Sequence, residues 1–174
     1  MPQPDDVPER TAEVVRTLVE RGLTVAAAES LTGGGLMFEL TRVPGASTAV
    51  LGGVVVYATA LKHTLLGVDA ELLAAEGPVH PDVARQLAAG VRERLAVEGR
   101  PADLGVATTG VAGPDPQGGR AVGTVFVGVS SVRGTRAVEL TLDGDRAGVR
   151  AQTVSCVIEE LAAELGFQPG GPPV

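Results

Sequence analysis

Three short runs in this chain, residues 24–28, 54–56 and 104–109, are built almost entirely from small apolar residues, with no polar position alternating between them. A strand that is apolar on both sides must be covered on both sides, which demands a sheet sandwiched between helices. The segments between the runs supply those helices. Residues 8–21 place Val14, Val15, Leu18 and Val19 at helical spacing, and residues 80–98 read as a long amphipathic helix with Pro81 in its first turn. A helix is expected from the glycines at 33–35 to Arg42, another over 58–66, and a closing one over 145–165. Strands are expected over 48–57, 122–130 and 135–142, the last two joined by the hairpin signal at 131–134. The fold class is therefore α/β: a three-layer α/β/α domain with a mixed, mostly parallel sheet. The 174 residues make one domain, with an ordered core over about 8–166 and a flexible tail over 167–174. With aromatics at 2%, Val, Leu and Ala must fill that core.

Composition removes several functions. A net charge of −7 and a pI near 4.8 leave no basic face for nucleic acid, and there is no aromatic set on which bases could stack. The single cysteine, Cys156, permits no internal disulfide and is expected in the core of the last helix. Two histidines, His63 and His80, stand far apart with no carboxylate spaced to complete a metal site, so neither metal nor cofactor is expected. His80 is expected at a helix start. No apolar run reaches 18 residues, and residues 1–10 lack the apolar stretch of a signal peptide; a cytoplasmic protein is expected. Apolar helix faces could support a homo-oligomer.

One residue stands apart chemically. Lys62 is the only lysine, beside 13 arginines. An arginine stays protonated, whereas a buried lysine can become a neutral amine and act as a base. The alternative is that an Arg-biased composition left one lysine by chance on a solvated face. The only tyrosine, Tyr57, lies five residues earlier, and Ser47 ten before that. A serine hydroxyl needs a base to take its proton, and a desolvated amine can serve. Tyr57 could relay a proton or hold the amine, but the two converge only if Tyr57 ends a strand and the chain turns before the helix.

Two further clusters follow apolar runs. Ser30-Leu31-Thr32-Gly33-Gly34-Gly35 is a glycine-rich turn whose following helix could present N–H groups to an anion, or could merely pack closely. The loop 109–119 offers Thr109, Gly110 and Gly113 as ligand contacts, with Asp115 suited either to a ribose hydroxyl or to a turn. Asp145 suits an N-cap, and Arg146 in the first helical turn opposes the helix dipole unless it reaches a phosphate or carboxylate.

Together these residues resemble the CinA C-terminal domain, the nicotinamide-nucleotide amidohydrolase family. Ala28-Glu29-Ser30-Leu31-Thr32-Gly33-Gly34 is similar to its A-E-S-x-T-G-G signature; Val43-Pro44-Gly45-Ala46-Ser47, Gly52-Gly53-Val54-Val55-Val56-Tyr57 and Lys62 follow in order. Thr109-Gly110-Val111-Ala112-Gly113-Pro114-Asp115, Val122-Gly123-Thr124-Val125 and Gly144-Asp145-Arg146 match later blocks, so the resemblance spans about 8–166. It implies metal-free deamidation of nicotinamide mononucleotide to nicotinic acid mononucleotide and ammonia. Ser47, Tyr57 and Lys62 are then the expected catalytic group, with Ser30 the alternative nucleophile. Ser30, Thr32, Gly33, Gly34, Thr109, Gly110, Gly113 and Arg146 are the expected substrate contacts. Leu31 stands where a cysteine is common in the family, and the segment 116–120 is short. Family members are often fused behind a larger N-terminal domain; this chain is expected to be the stand-alone form. The rival expectations are a non-catalytic pyridine-nucleotide sensor and an interaction domain in DNA uptake or damage.

Overall fold

The computed structural model describes residues 8–168. In chain order the elements are α1 Glu9–Arg21, β1 Val25–Glu29, α2 Gly35–Thr41, β2 Val50–Val55, α3 Thr59–Leu66, α4 Ala70–Glu76, α5 Pro81–Arg94, β3 Leu104–Gly110, β4 Thr124–Ser131, β5 Gly134–Thr141 and α6 Arg146–Glu164. The five strands form one sheet in the order β2-β1-β3-β4-β5. β1 pairs parallel with β2 and β3, whereas β3–β4 and β4–β5 are antiparallel. The sheet is mixed, with only β4 running against the other four. The β4–β5 hairpin turns through Val132 and Arg133, between the paired Ser131 and Gly134.

Period-two alternation divides the sheet between two cores. Val25 and Ala27 of β1 join Val14, Leu18, Leu36, Val157 and Leu161 on the face covered by α1, α2 and α6. Ala26 and Ala28 join Leu66, Val83, Leu87 and Val91 on the face covered by α3 and α5. All five residues of β1 are buried, as a strand covered on both faces requires.

Small residues set the spacing between these layers. A Cβ on Gly128 of β4 would lie 2.0 Å from the Ala84 carbonyl oxygen of α5, and one on Gly105 of β3 would lie 2.1 Å from that of Ala88. α5 therefore sits directly on the sheet. The scarcity of aromatic residues fits this close approach; the buried ring of Phe126 in β4 packs with Val79, Ala84 and Val111 near the start of α5.

The structure departs from the sequence reading in four places. β2 is an edge strand, and Val55, in a run expected to be covered on both faces, is 45% exposed. A short helix, α4, was not expected; it sets only Leu72 and Leu73, half-buried, against the core, too few for a periodic stripe, but Asp69 caps it by accepting the N–H groups of Glu71 and Leu72. Phe167, assigned above to a loose tail, is buried: its N–H donates to the Ala162 carbonyl and its ring lies 5.4 Å from the Arg10 guanidinium. The rest of that tail assignment, 169–174, falls outside the described residues. Cys156 is half-buried instead of lying in the core, and burial with Glu160 and Glu159 nearby raises its thiol pKa. Among the described residues no helix is long and apolar enough to cross a membrane.

Candidate active site

In the order β2-β1-β3, the connection from β1 to β2 covers one face and that from β2 to β3 covers the other. β1 is thus the switch point, where open α/β sheets form a ligand crevice at the carboxyl ends of the strands. Ser30 follows the carboxyl end of β1 directly. A cavity of about 200 Å³ opens there, with Ser30 and Lys62 on its inner wall and Tyr57, Asp115 and Arg146 around its mouth.

Lys62 is 1% exposed, which removes the solvated-face alternative. Its Nζ donates to the Val56 carbonyl at 2.6 Å and to Ser30 Oγ at 3.1 Å. Burial pushes its pKa down from the ordinary 10.5 to about 8. The convergence arises as the spacing required. β2 ends at Val55, the Val56 N–H donates to the Glu29 carbonyl at 2.8 Å, and the chain turns at Tyr57 before α3. One helical turn later Lys62 points back at Val56.

That depressed pKa has a sign for stability. Between pH 8 and 10.5 the unfolded chain holds a proton on Lys62 that the native state has released, so native stability rises with pH across this window. Below it both states are protonated and the burial penalty is fully present. Relative to Lys62→Met, the native chain should gain about 3 kcal/mol in urea denaturation between pH 7 and 10.5. A stability difference that does not change with pH would show an amine protonated throughout.

The remaining expected residues divide. Tyr57 is 58% exposed, and its hydroxyl accepts from Arg146 Nη2 at 3.0 Å, so it does not hold the lysine. Arg146 Nη1 also donates to the Gly113 carbonyl at 2.6 Å, drawing the loop after β3 and the start of α6 together across the mouth. Thr109, Gly110 and Gly113 line the cavity, and the Thr109 hydroxyl donates to the Pro78 carbonyl at 2.6 Å. Asp145 caps α6 and His80 caps α5.

Ser47 is not brought to Lys62. It is exposed in the 3-10 turn Ala46–Thr48, before β2, while the lysine amine sits beyond the far end of that strand. Six strand residues alone put roughly 20 Å between them. Proximity in sequence misled because the intervening segment is fully extended.

Thr32, Gly33 and Gly34 are likewise outside the cavity lining. The Gly33 N–H donates to the Ser30 carbonyl, and the Thr32 hydroxyl pairs with that of Thr108 at 2.9 Å. The anion at the start of α2 is internal. Glu29, 0% exposed, accepts the N–H groups of Gly34 at 2.9 Å, Leu36 at 3.1 Å and Met37 at 2.9 Å. A carboxylate one residue from the turn fills the helix N-terminus that the sequence reading left open to a ligand.

Sequence reasoning passed over three residues of this arrangement. Glu29 was read only as part of a motif. Thr108 accepts the Ser30 N–H at 3.2 Å. Arg150 donates through Nε to the Leu31 carbonyl and through Nη2 to the Thr32 carbonyl, both at 2.9 Å. A signal for Arg150 did exist: it stands one turn after Arg146, on the same side of a helix start where cations are unfavourable.

Residues 8–165 match the family model described as the CinA C-terminal domain. The chain belongs to the CinA C-terminal domain family. A CinA-like protein of Frankia casuarinae is 49% identical over 156 residues, covering 90% of this chain and 35% of its own length. One from Gemmatimonas aurantiaca is 42% identical over 153 residues, covering 86% and 34%. This chain thus spans about a third of the length of the curated relatives it matches. Among solved structures, competence damage-inducible protein A of Klebsiella pneumoniae superposes with a TM-score of 0.83 at 31% identity, covering 92% of this chain and 98% of the other. The competence/damage inducible protein CihA of Agrobacterium tumefaciens gives 0.80 at 33%, covering 90% and 96%. The α/β architecture is that of the CinA superfamily. Among the described residues no three His, Cys, Asp or Glu side chains cluster as metal ligands would.

Proposed function

We propose that this domain is a serine amidohydrolase that deamidates nicotinamide mononucleotide, with Ser30 as nucleophile and Lys62 as its base. The observation that carries this reading is the buried amine of Lys62, 3.1 Å from Ser30 Oγ and shifted toward neutrality. The choice of amide rests on the family resemblance. A cation at the mouth of the cavity suits the substrate's phosphate.

Once Lys62 is neutral, its lone pair accepts the Ser30 proton while the Val56 carbonyl holds one amine N–H. Ser30 Oγ attacks the carboxamide carbon, and the carbonyl oxygen takes the negative charge. The amide of Leu31, next in the chain in a residue that lines the same cavity, serves in this reading as the donor for that oxyanion. Lys62 returns the proton to the departing nitrogen, the C–N bond breaks and ammonia leaves. Water, deprotonated by Lys62, then cleaves the acyl ester to release the carboxylate and restore Ser30.

Ammonia release from nicotinamide mononucleotide by EDTA-treated protein tests this reading. The rate should climb through an apparent pKa of about 8 to a plateau above it, because only the neutral amine is a base. Binding without turnover would replace the amidase by a nucleotide sensor. Arg146→Ala should raise KM for nicotinamide mononucleotide about 10- to 100-fold with little change in kcat. The same variant should leave KM for nicotinamide riboside, which lacks the phosphate, unchanged. An equal loss for both substrates would refute a phosphate contact.

A further inference from the structure

α6 begins with two arginines one turn apart, and only Arg146 reaches the cavity mouth. Arg150 turns under the Ser30 loop, with Nε 2.9 Å from the Leu31 carbonyl and Nη2 2.9 Å from the Thr32 carbonyl. A planar guanidinium held on two consecutive carbonyls fixes two successive peptide planes at once. Gly33 is shaped for this approach: its φ is +59°, and a Cβ there would stand 3.3 Å from Arg150 Nη2. Among the described residues Arg150 forms no ion pair, so its charge falls on backbone alone. A fixed cation in the second turn of a helix opposes the macrodipole. An interaction that costs stability at that position calls for another reason to be there.

We infer that Arg150 is a positioning residue for the nucleophile: it holds the Ser30–Thr32 loop so that Ser30 Oγ and the amide following it keep the geometry of the attack. In a trans peptide the N–H points opposite its carbonyl. The Leu31 and Thr32 carbonyls are drawn to Arg150 and the Ser30 carbonyl to the Gly33 N–H. The N–H groups of the two planes on Arg150 are those of Thr32 and Gly33. The cation makes the Gly33 N–H a stronger donor to the Ser30 carbonyl, and that bond in turn orients the Leu31 N–H, which shares the Ser30 peptide plane. Thr108 completes the support from β3 by accepting the Ser30 N–H. Arg150 acts through the loop and touches no substrate, so its effect belongs on the chemical step and not on binding.

This inference rests on Ser30 being the nucleophile, and its test separates it from the choice of substrate. Arg150→Lys keeps the charge and loses the fork; its kcat for ammonia release should fall about 10- to 100-fold with KM nearly unchanged, a loss comparable to that of an oxyanion donor. Arg150→Ala should fall further and recover in part with millimolar guanidinium chloride, while the apparent pKa near 8 stays in place. The second readout is labelling of Ser30 by a fluorophosphonate, followed by intact mass. There the serine oxygen displaces fluoride from phosphorus and its proton passes to Lys62. Labelling should slow in both Arg150 variants by a factor similar to kcat, and Arg133→Ala, in the exposed β4–β5 turn away from the cavity, should label at the native rate. Native labelling and kcat in Arg150→Lys, or a raised KM at unchanged kcat, would overturn the role. If the native chain is labelled but releases no ammonia, the substrate is wrong and the labelling rates still decide Arg150. If Ser30 is not labelled in the native chain, both readings fall together.

Discussion

Ser30→Ala should release no ammonia from nicotinamide mononucleotide above background, and Lys62→Arg should lose at least about 10³-fold in kcat, while Ser47→Ala keeps the native rate. The first loss follows from removing the atom that forms the acyl bond. The second follows because arginine keeps its proton and cannot accept one from serine, where a general base contributes about 10²- to 10⁴-fold. Lys62 is buried against a carbonyl and a hydroxyl, so a guanidinium there also lacks partners for its extra donors. Lys62→Met, close in volume and uncharged, controls for misfolding and should be as inactive as Lys62→Arg. Urea denaturation of each variant shows whether the fold is kept. The contrast between serines is the sharpest part. If Ser47→Ala is dead and Ser30→Ala active, the catalytic assignment collapses, because no rearrangement short of unpairing β2 brings Ser47 to the lysine.

Gly128→Ala should be among the most destabilising single changes in the chain, at about 3 kcal/mol or more. The added methyl would meet the Ala84 carbonyl oxygen at 2.0 Å. That oxygen is backbone within α5 and cannot rotate aside, so the helix as a whole must lift from β3 and β4. For a domain of this size the loss corresponds to roughly 6–12 °C in Tm. The control is Gly118→Ala: nothing stands within 4 Å of the position, so any loss there comes from its positive φ. A Gly128→Ala protein melting with the native chain would mean that α5 does not rest on the sheet as closely as described.

The layer architecture was legible because its cause is local: strands with two apolar faces admit few environments. The β4–β5 hairpin was legible for the same reason, through its turn. α4 was not, since a short helix that sets only two adjacent leucines against the core has no periodic stripe and is marked only by Asp69. In the candidate site, Lys62 was legible through composition, one amine kept where every other cation is arginine. Its neighbour in space was not: 15 residues separate Ser47 from Lys62 and 32 separate Ser30 from Lys62, yet the longer gap is the one the fold closes. Parallel pairing of β1 with β2 places their carboxyl ends side by side, and no reading of spacing within one segment contains that pairing. Glu29 escaped notice because nothing in the motif's spacing shows that its carboxylate turns back onto the amides of Gly34, Leu36 and Met37.

That internal carboxylate also divides how the domain meets dissolved ions. The Glu29 contacts lie out of reach of solvent, so added salt has little hold on the turn that carries Ser30. Arg146 stands in water at the mouth, where counterions screen it. Ionic strength thus acts on the capture of an anionic substrate and leaves the geometry of the reacting pair alone. A domain carrying a net charge of −7 draws in an anion over the short range of the cation at that mouth.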